Sequence, residues 1–227
     1  MPWLFIRIKQ LKWMLLFLFS AIFFLITIPP PPEQPVVSFV GPPAAIYKGS
    51  TNVALTVNVD DTETNAGKWA RLFMKHDMTA SFFVTSSWLD QHPKTAKLLV
   101  ERAFDIGVLL TDTSDAGEIE KEINAVQKRL KAYGMERVLY VRAAEEMGGL
   151  PETSSSLGLL TVQWSVDLAE RPPSDFIRNM KKGDIVLLNP EEDLRVTEKW
   201  LSILAKKEKA VSLSELAGND TRIEYIP

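Results

Sequence analysis

Beyond residue 44 the chain alternates between two hydrophobic periodicities, and this alternation admits few folds. Short runs rich in β-branched and aromatic residues recur at 53–58, 80–84, 106–110, 138–142, 159–165, 184–189 and 210–213, which predicts seven strands. Between them, segments 66–76, 94–104, 116–133, 174–180 and 194–207 return their apolar residues at intervals of three and four, as helices do. The longest sets Ile119, Ile123, Val126 and Leu130 on one stripe and stops at Gly134, a residue suited to ending a helix. Pro93 opens the second helix in the first turn, where its missing N–H is not needed. Around 145–156, Gly148, Gly149 and Pro151 leave room for a short helix at most. Strands alternating with helices imply an α/β fold: a parallel sheet covered by helices, either open and doubly wound or closed as a barrel. Either way, functional side chains belong at the carboxyl ends of the strands.

The first 43 residues read differently. Residues 13–28, WMLLFLFSAIFFLITI, carry no charge, follow Arg7, Lys9 and Lys12, and run into four prolines at 29–32. Such a run is slightly shorter than the roughly 20 residues of a spanning helix. Adding Leu11 and letting Lys12 reach the headgroups closes most of the gap. Bulky Phe and Ile stand where a signal peptidase would need small residues, so an uncleaved signal-anchor is expected. The basic flank places 1–12 in the cytoplasm and everything after the helix outside, as a single-pass protein of the cell membrane. Residues 29–43, with seven prolines, form an extended linker, and 44–227 form the extracytoplasmic domain.

Composition narrows the chemistry. The chain has no cysteine, which removes disulfides, thiolate metal sites and thiol nucleophiles, and it has only two histidines. A net charge of −3 without a long basic run argues against nucleic acid as a partner. Reading the strand ends in turn gives Asn58 with Asp60 and Asp61, Thr85, Thr111 with Asp112, Arg142 with Glu145, Asp167 with Glu170, and Asn189 with Glu191. Neither histidine is among them: His76 closes a helix and His92 precedes one. Asp60 and Asp61 suit either a pair of working carboxylates or a loop entering a helix. Arg142 could anchor a carboxylate such as Asp167 in a bidentate pair. No phosphate-binding glycine loop, Ser-centred elbow or His-Glu zinc helix is present.

The runs AIYKGSTNVALTVNVDD and LFMKHDMTASFFVTSSWLDQHPKTAKLLVERAFDIG, followed by YVRAA, WSVDLAE and GDIVLLN, resemble the polysaccharide deacetylase, or NodB-homology, family over about residues 44–215. In that family a T-F-D-D-G strand end leads to an A-T-F-F strand, a helix opened by H-P, and a strand ending G-x-x-I-G-N-H. The basic, hydrophobic amino terminus and the IYKG entry look most like its sporulation-associated PdaB-type members. The resemblance implies a distorted, incomplete (β/α)7-type barrel preceded here by the single transmembrane helix. It also implies metal-dependent N-deacetylation of GlcNAc or MurNAc units, with an Asp and two His on a divalent metal, usually zinc, a second Asp as base and a late His as acid.

Position by position, the carry-over fails at the chemistry. Asn58 stands at the base position, and Val59, Leu109 and Thr113 stand at the three metal-ligand positions. Arg142 keeps the family arginine, Asp167 keeps an acidic partner, and Asn189 replaces the acid. The expectation is therefore no intact catalytic set and no cofactor, with Asp60, Asp61, Asp112, Arg142 and Asp167 left as binding candidates. Expected partners are a cell-wall or spore polysaccharide or an envelope protein. The rival expectations are an active N-deacetylase rearranged around Asp60, Asp61, Asp112 or Asp167, and a purely structural envelope protein.

Overall fold

The computed structural model describes residues 45–49, 52–111, 115–145, 149–169, 173–188, 194–207, 210–218 and 224–226. The expected stub, anchor and linker lie outside them, as do Asp112, Thr113, Glu170 and Asn189. Among the described residues, no helix is long and apolar enough to cross a membrane.

In chain order the elements are β1 (Ala45–Lys48), β2 (Val53–Val59), α1 (Ala66–Lys75), β3 (Ser81–Val84), α2 (Ser86–Gln91), α3 (Pro93–Glu101), β4 (Asp105–Leu110), α4 (Ala116–Lys131) and β5 (Tyr140–Ala143). They continue with α5 (Leu150–Ser156), β6 (Leu160–Val162), β7 (Val166–Asp167), α6 (Pro173–Asn179), β8 (Ile185–Leu188), α7 (Leu194–Lys207), β9 (Ala210–Val211), α8 (Leu213–Gly218) and β10 (Glu224–Ile226).

All the strands join one sheet in the order β10-β1-β6-β5-β4-β3-β2-β8-β7, with β9 added beside β2. Every pairing is parallel except that of β10 with β1. The sheet curls until its flanks meet. β1 and β8 stand on opposite sides of the five strands between them. Yet Lys48 bridges Asp184, and the Gly49 N–H donates to the Gly183 carbonyl at 2.8 Å. Further along, Gln163 N–H bonds the Ile46 carbonyl on β1, and Ser165 N–H bonds the Ile185 carbonyl on β8. The result is a curled half-barrel of parallel strands.

Among the described residues, ten strands replace the expected seven. The predicted run 159–165 is not one strand: its first part pairs with β1 and β5, and the chain then crosses to the far flank as β7. β1 and β10 are short and sit where the apolar signal is weakest, so periodicity did not reveal them.

Alternation along β2 divides the core into two layers. Val53, Leu55, Val57 and Val59 face the helices and pack with Trp69, Phe73, Leu99 and the α4 stripe of Ile119, Ile123, Val126 and Leu130. Ala54 faces the barrel interior with Ile46, Phe83, Leu109, Tyr140, Val162 and Ile185. Leu213 and Leu216 of α8 join this inner layer. Ser214 donates to Asp105 from both its N–H, at 2.7 Å, and its hydroxyl, at 2.9 Å, and Leu213 N–H donates to Ser81 at 3.2 Å. Since Ser81 and Asp105 begin β3 and β4, α8 seals the amino end of the barrel and leaves the carboxyl end for function.

Burial pushes the Asp105 carboxyl above its ordinary value of 3.8, against the pull of the Ser214 hydrogen bonds. A raised carboxyl pKa means that the folded state binds the proton more tightly than the unfolded state. Its contribution is complete below the ordinary value and is lost as pH rises through the folded value. Asp105→Asn keeps an acceptor for Ser214 N–H and cannot ionise. The variant is expected to lose part of the stability decline between about pH 4 and pH 7, measured as urea midpoints at the two pH values.

Candidate functional site

At the carboxyl end, the barrel interior is organised by one charge. Arg142 on β5 has no exposed surface. Its Nε donates to the Val162 carbonyl at 3.0 Å, and Nη1 donates to Thr56 Oγ1 at 2.8 Å and Asn58 Oδ1 at 3.2 Å. Nη2 reaches the Gln163 carbonyl at 3.4 Å. Thr56 passes its own proton to the Val186 carbonyl, 2.9 Å away, so its hydroxyl is free to accept from the arginine. None of these partners is a carboxylate, and burial pulls the guanidinium pKa below its ordinary value.

Aromatic faces supply part of the missing compensation. The guanidinium carbon lies 4.0 Å from the centre of the Phe83 ring and 5.4 Å from that of Trp164. Phe83 reaches it because Gly107 stands beside it in register on the next strand. A Cβ at Gly107 would fall 2.6 Å from Phe83 Cε1. The glycine of the Ile106-Gly107 pair thus has a steric purpose: the ring crosses β4 and lies against a side chain of β5.

Of the positions at which the resemblance would place metal ligands and the acid, Val59 and Leu109 are hydrocarbon, and Thr113 and Asn189 lie outside the described residues. Val59 packs in the helix-facing layer and Leu109 in the inner layer, both buried. Asp60 and Asp167 each hold a local role. Asp60 accepts from Thr62 N–H at 2.9 Å and from the Thr62 hydroxyl, and Asp167 accepts from Ala169 N–H at 2.8 Å. Asp167 is therefore not the partner of Arg142, which corrects the expected pairing: neutral acceptors on β2 and the chain after β6 take the donors instead. Among the described residues, no three His, Asp or Glu side chains gather as a metal site would require. Both histidines stay away from the strand ends. His76 closes α1, and His92 links α2 to α3 against the Trp88 ring. Trp69 and Trp88 are core residues, the latter donating to the Glu63 carbonyl at 2.8 Å.

Asp61 is placed differently. It accepts the Thr85 hydroxyl at 2.7 Å and stands on an open groove of about 450 Å³ over the ends of β3 and β4. Hydroxyls of Thr85, Ser86, Ser87 and Thr111 line one side, and Glu122 and Arg129 of α4 line the other. Glu122 holds Ser86 through its N–H at 2.6 Å and its hydroxyl at 2.8 Å. Arg129 is turned to Asp90 in a two-pronged pair at 2.6 and 2.7 Å. The sequence reading missed Thr56, Phe83, Ser86 and Glu122. Only Thr56 left a signal, sharing a strand face with Asn58 two residues on.

This architecture, parallel strands curled into a half-barrel with polar groups at their carboxyl ends, is the fold of NodB-like α/β proteins. The polysaccharide deacetylase family model matches residues 47–146. A CE4-family pseudoenzyme from Bacillus anthracis superposes with a TM-score of 0.67 at 22% identity, covering 78% of this chain and 69% of that one. The peptidoglycan deacetylase PdaC from Bacillus subtilis gives 0.62 at 17% identity, with 74% and 91% covered. PdaA from Bacillus subtilis, a family 4 carbohydrate esterase, gives 0.63 at 20%, with 77% and 85% covered. No curated protein sequence matches the chain.

These matches correct the expectation that no cofactor is involved: the deacetylases of the matched family use a divalent metal, so a metal is the group this fold implies. The scarcity of histidine bears only on which side chains could hold it. Val59 and Leu109 offer no lone pair and do not fit that task, and among the described residues neither Asp60 nor Asp167 belongs to a group of three candidate ligands.

Returning a carboxylate to position 58 tests the account of Arg142. Asn58→Asp is expected to raise stability at pH 7 by about 1–2 kcal/mol, because the buried cation gains a charged acceptor. Arg142 lowers the pKa of the new carboxyl in the folded state, so the gain holds above its unfolded value and vanishes as pH falls through the folded one. Urea unfolding at pH 7 and at low pH checks both the sign and the window.

Proposed function

We propose that this chain is a polysaccharide deacetylase-like protein that works by holding glycan and not by cutting it, at the cell envelope or the forming spore. The observation that supports this most is the exchange at the base position. Asn58 meets Arg142 through an amide oxygen, and an amide cannot take a proton from water at neutral pH. The groove over β3 and β4 remains open and polar beside it. A structural neighbour described as a CE4 pseudoenzyme gives the reading a precedent in the fold. The apolar run 13–28 with its basic flank supports a membrane-anchored form with residues 44–227 outside.

The competing reading is an active N-deacetylase, favoured by the metal dependence of the matched family. The full chain, given N-acetylglucosamine oligomers or peptidoglycan with added Zn²⁺, separates the two. Under our proposal it sediments with peptidoglycan and releases no acetate. Metal-dependent acetate release that disappears in Asp61→Ala would establish the enzyme instead.

Anchoring is tested separately. The full chain is expected to stay with membranes through high salt and alkaline carbonate and to leave them only in detergent. Leu16→Arg with Phe19→Arg should release it into the soluble fraction, and a wild-type chain released by salt alone would refute the anchor.

A further inference from the structure

We infer that the outward face of α7 docks the domain on an anionic bilayer, with the helix lying among the lipid headgroups. The inference rests on the anchoring reading above, which brings a bilayer within reach, and adds a second, reversible contact.

The burial pattern of α7 carries it. Thr197, Leu201 and Leu204 face the domain and have no exposed surface. The outward stripe, at intervals of three and four, reads Val196, Lys199, Ile203 and Lys206. Val196 is 49% exposed and Ile203 45%, and among the described residues the third large hydrophobic so placed is Met74 on α1, at 37%. Single exposed hydrophobics are ordinary, but two on one stripe of one helix, interleaved with lysines, make a patch.

Charge selects the occupant. Residues 44–227 hold 23 Lys and Arg against 28 Asp and Glu, yet this face is basic. Glu198, the only acid of α7, is taken by Lys75 of the neighbouring α1. Lys199 and Lys206 enter none of the ion pairs among the described residues. Lys207 adds a third ammonium beside them, its Nζ donating to the Ile177 carbonyl. An anionic bilayer answers both features at once, with hydrocarbon for the two apolar side chains and headgroups for the ammonium groups.

Position agrees with this. After α7 the chain enters β9, whose Ala210 pairs with Val53 at the start of β2, so the last turn of α7 lies at the amino end of the barrel. Ala45 opens β1, parallel to β6, at that same end. The chain that leads from the apolar run therefore joins the domain at the end where Lys206 and Lys207 stand. The acids nearest α7 in sequence, at 191–193, precede its first turn, a helix length of about 20 Å from those lysines.

The test exploits the absence of cysteine. Ile203→Cys in the full chain is labelled with a fluorophore and reconstituted into phosphatidylcholine vesicles, with or without phosphatidylglycerol, that contain spin-labelled lipid. Quenching of the label by that lipid reports contact with the bilayer. Strong quenching is expected with phosphatidylglycerol and weak quenching without it, and high salt should remove the difference. Ser156→Cys, on α5, carries the same label and is expected to stay unquenched in both vesicles. Adding Lys199→Gln with Lys206→Gln should lower the docked-to-undocked ratio at least about tenfold, while Lys199→Arg with Lys206→Arg keeps it. Equal, weak quenching at position 203 in the two vesicles overturns the inference. The anchoring reading then stands if the labelled chain resists alkaline carbonate, and falls as well if carbonate extracts it. Quenching that ignores the two glutamine changes also overturns the inference. So does a label shielded from a water-borne quencher in a dimeric chain yet out of reach of the spin-labelled lipid, since the face would then join two copies.

Discussion

A buried guanidinium ties the carboxyl end of the barrel together. Arg142 reaches from β5 to Thr56 and Asn58 on β2, to the backbone leaving β6, and across the rings of Phe83 and Trp164. Removing a charge from water is costly, and here four polar acceptors and two aromatic faces offset the cost without a carboxylate. That requirement explains features that otherwise look unrelated. Gly107 must lack a side chain so that Phe83 can lie flat, Thr56 must have a hydroxyl that donates elsewhere, and the last residue of β6 and the one after it must turn their carbonyls inward. Arg142 thereby acts as a structural tie between β5, β2 and the end of β6.

The two ends of the barrel have been treated in opposite ways. At the amino end α8 fills the interior with leucines and fastens itself to Asp105. At the other end polar groups stand both on the barrel axis and at its rim. The axis holds Arg142 among neutral partners, and the rim holds Asp61, Thr85 and Glu122 on an open groove.

The sequence made the architecture readable where a strand was long or a helix had a complete stripe. β2, β3, β4 and α4 are legible because burial on one or both faces enforces period two or period three-to-four. The crossing at 163–165 was hidden because an uninterrupted apolar run looks the same whether it stays beside one neighbour or changes partners. At the site, Asn58 and Arg142 could be named from their places at strand ends, and Val59 and Leu109 only through the family resemblance. The partners of Arg142 could not, since Phe83 and the Val162 and Gln163 carbonyls are ordinary strand residues until the curl brings them together. Asp61 was one carboxylate of several in the list, and its difference from Asp60 lies in a contact with Thr85, 24 positions away.

The segment that bonds to both flanks also sets a schedule. β1 emerges first, but its partners β6 and β10 lie more than a hundred residues downstream. Its end meets the turn before β8, near residue 184. The first strand therefore has nothing to pair with until most of the domain has been made, while β2, β3 and β4 with their intervening helices can assemble at once. Contacts so distant in sequence slow the final step of folding. Closure of the barrel is thus expected to come after the central strands have paired.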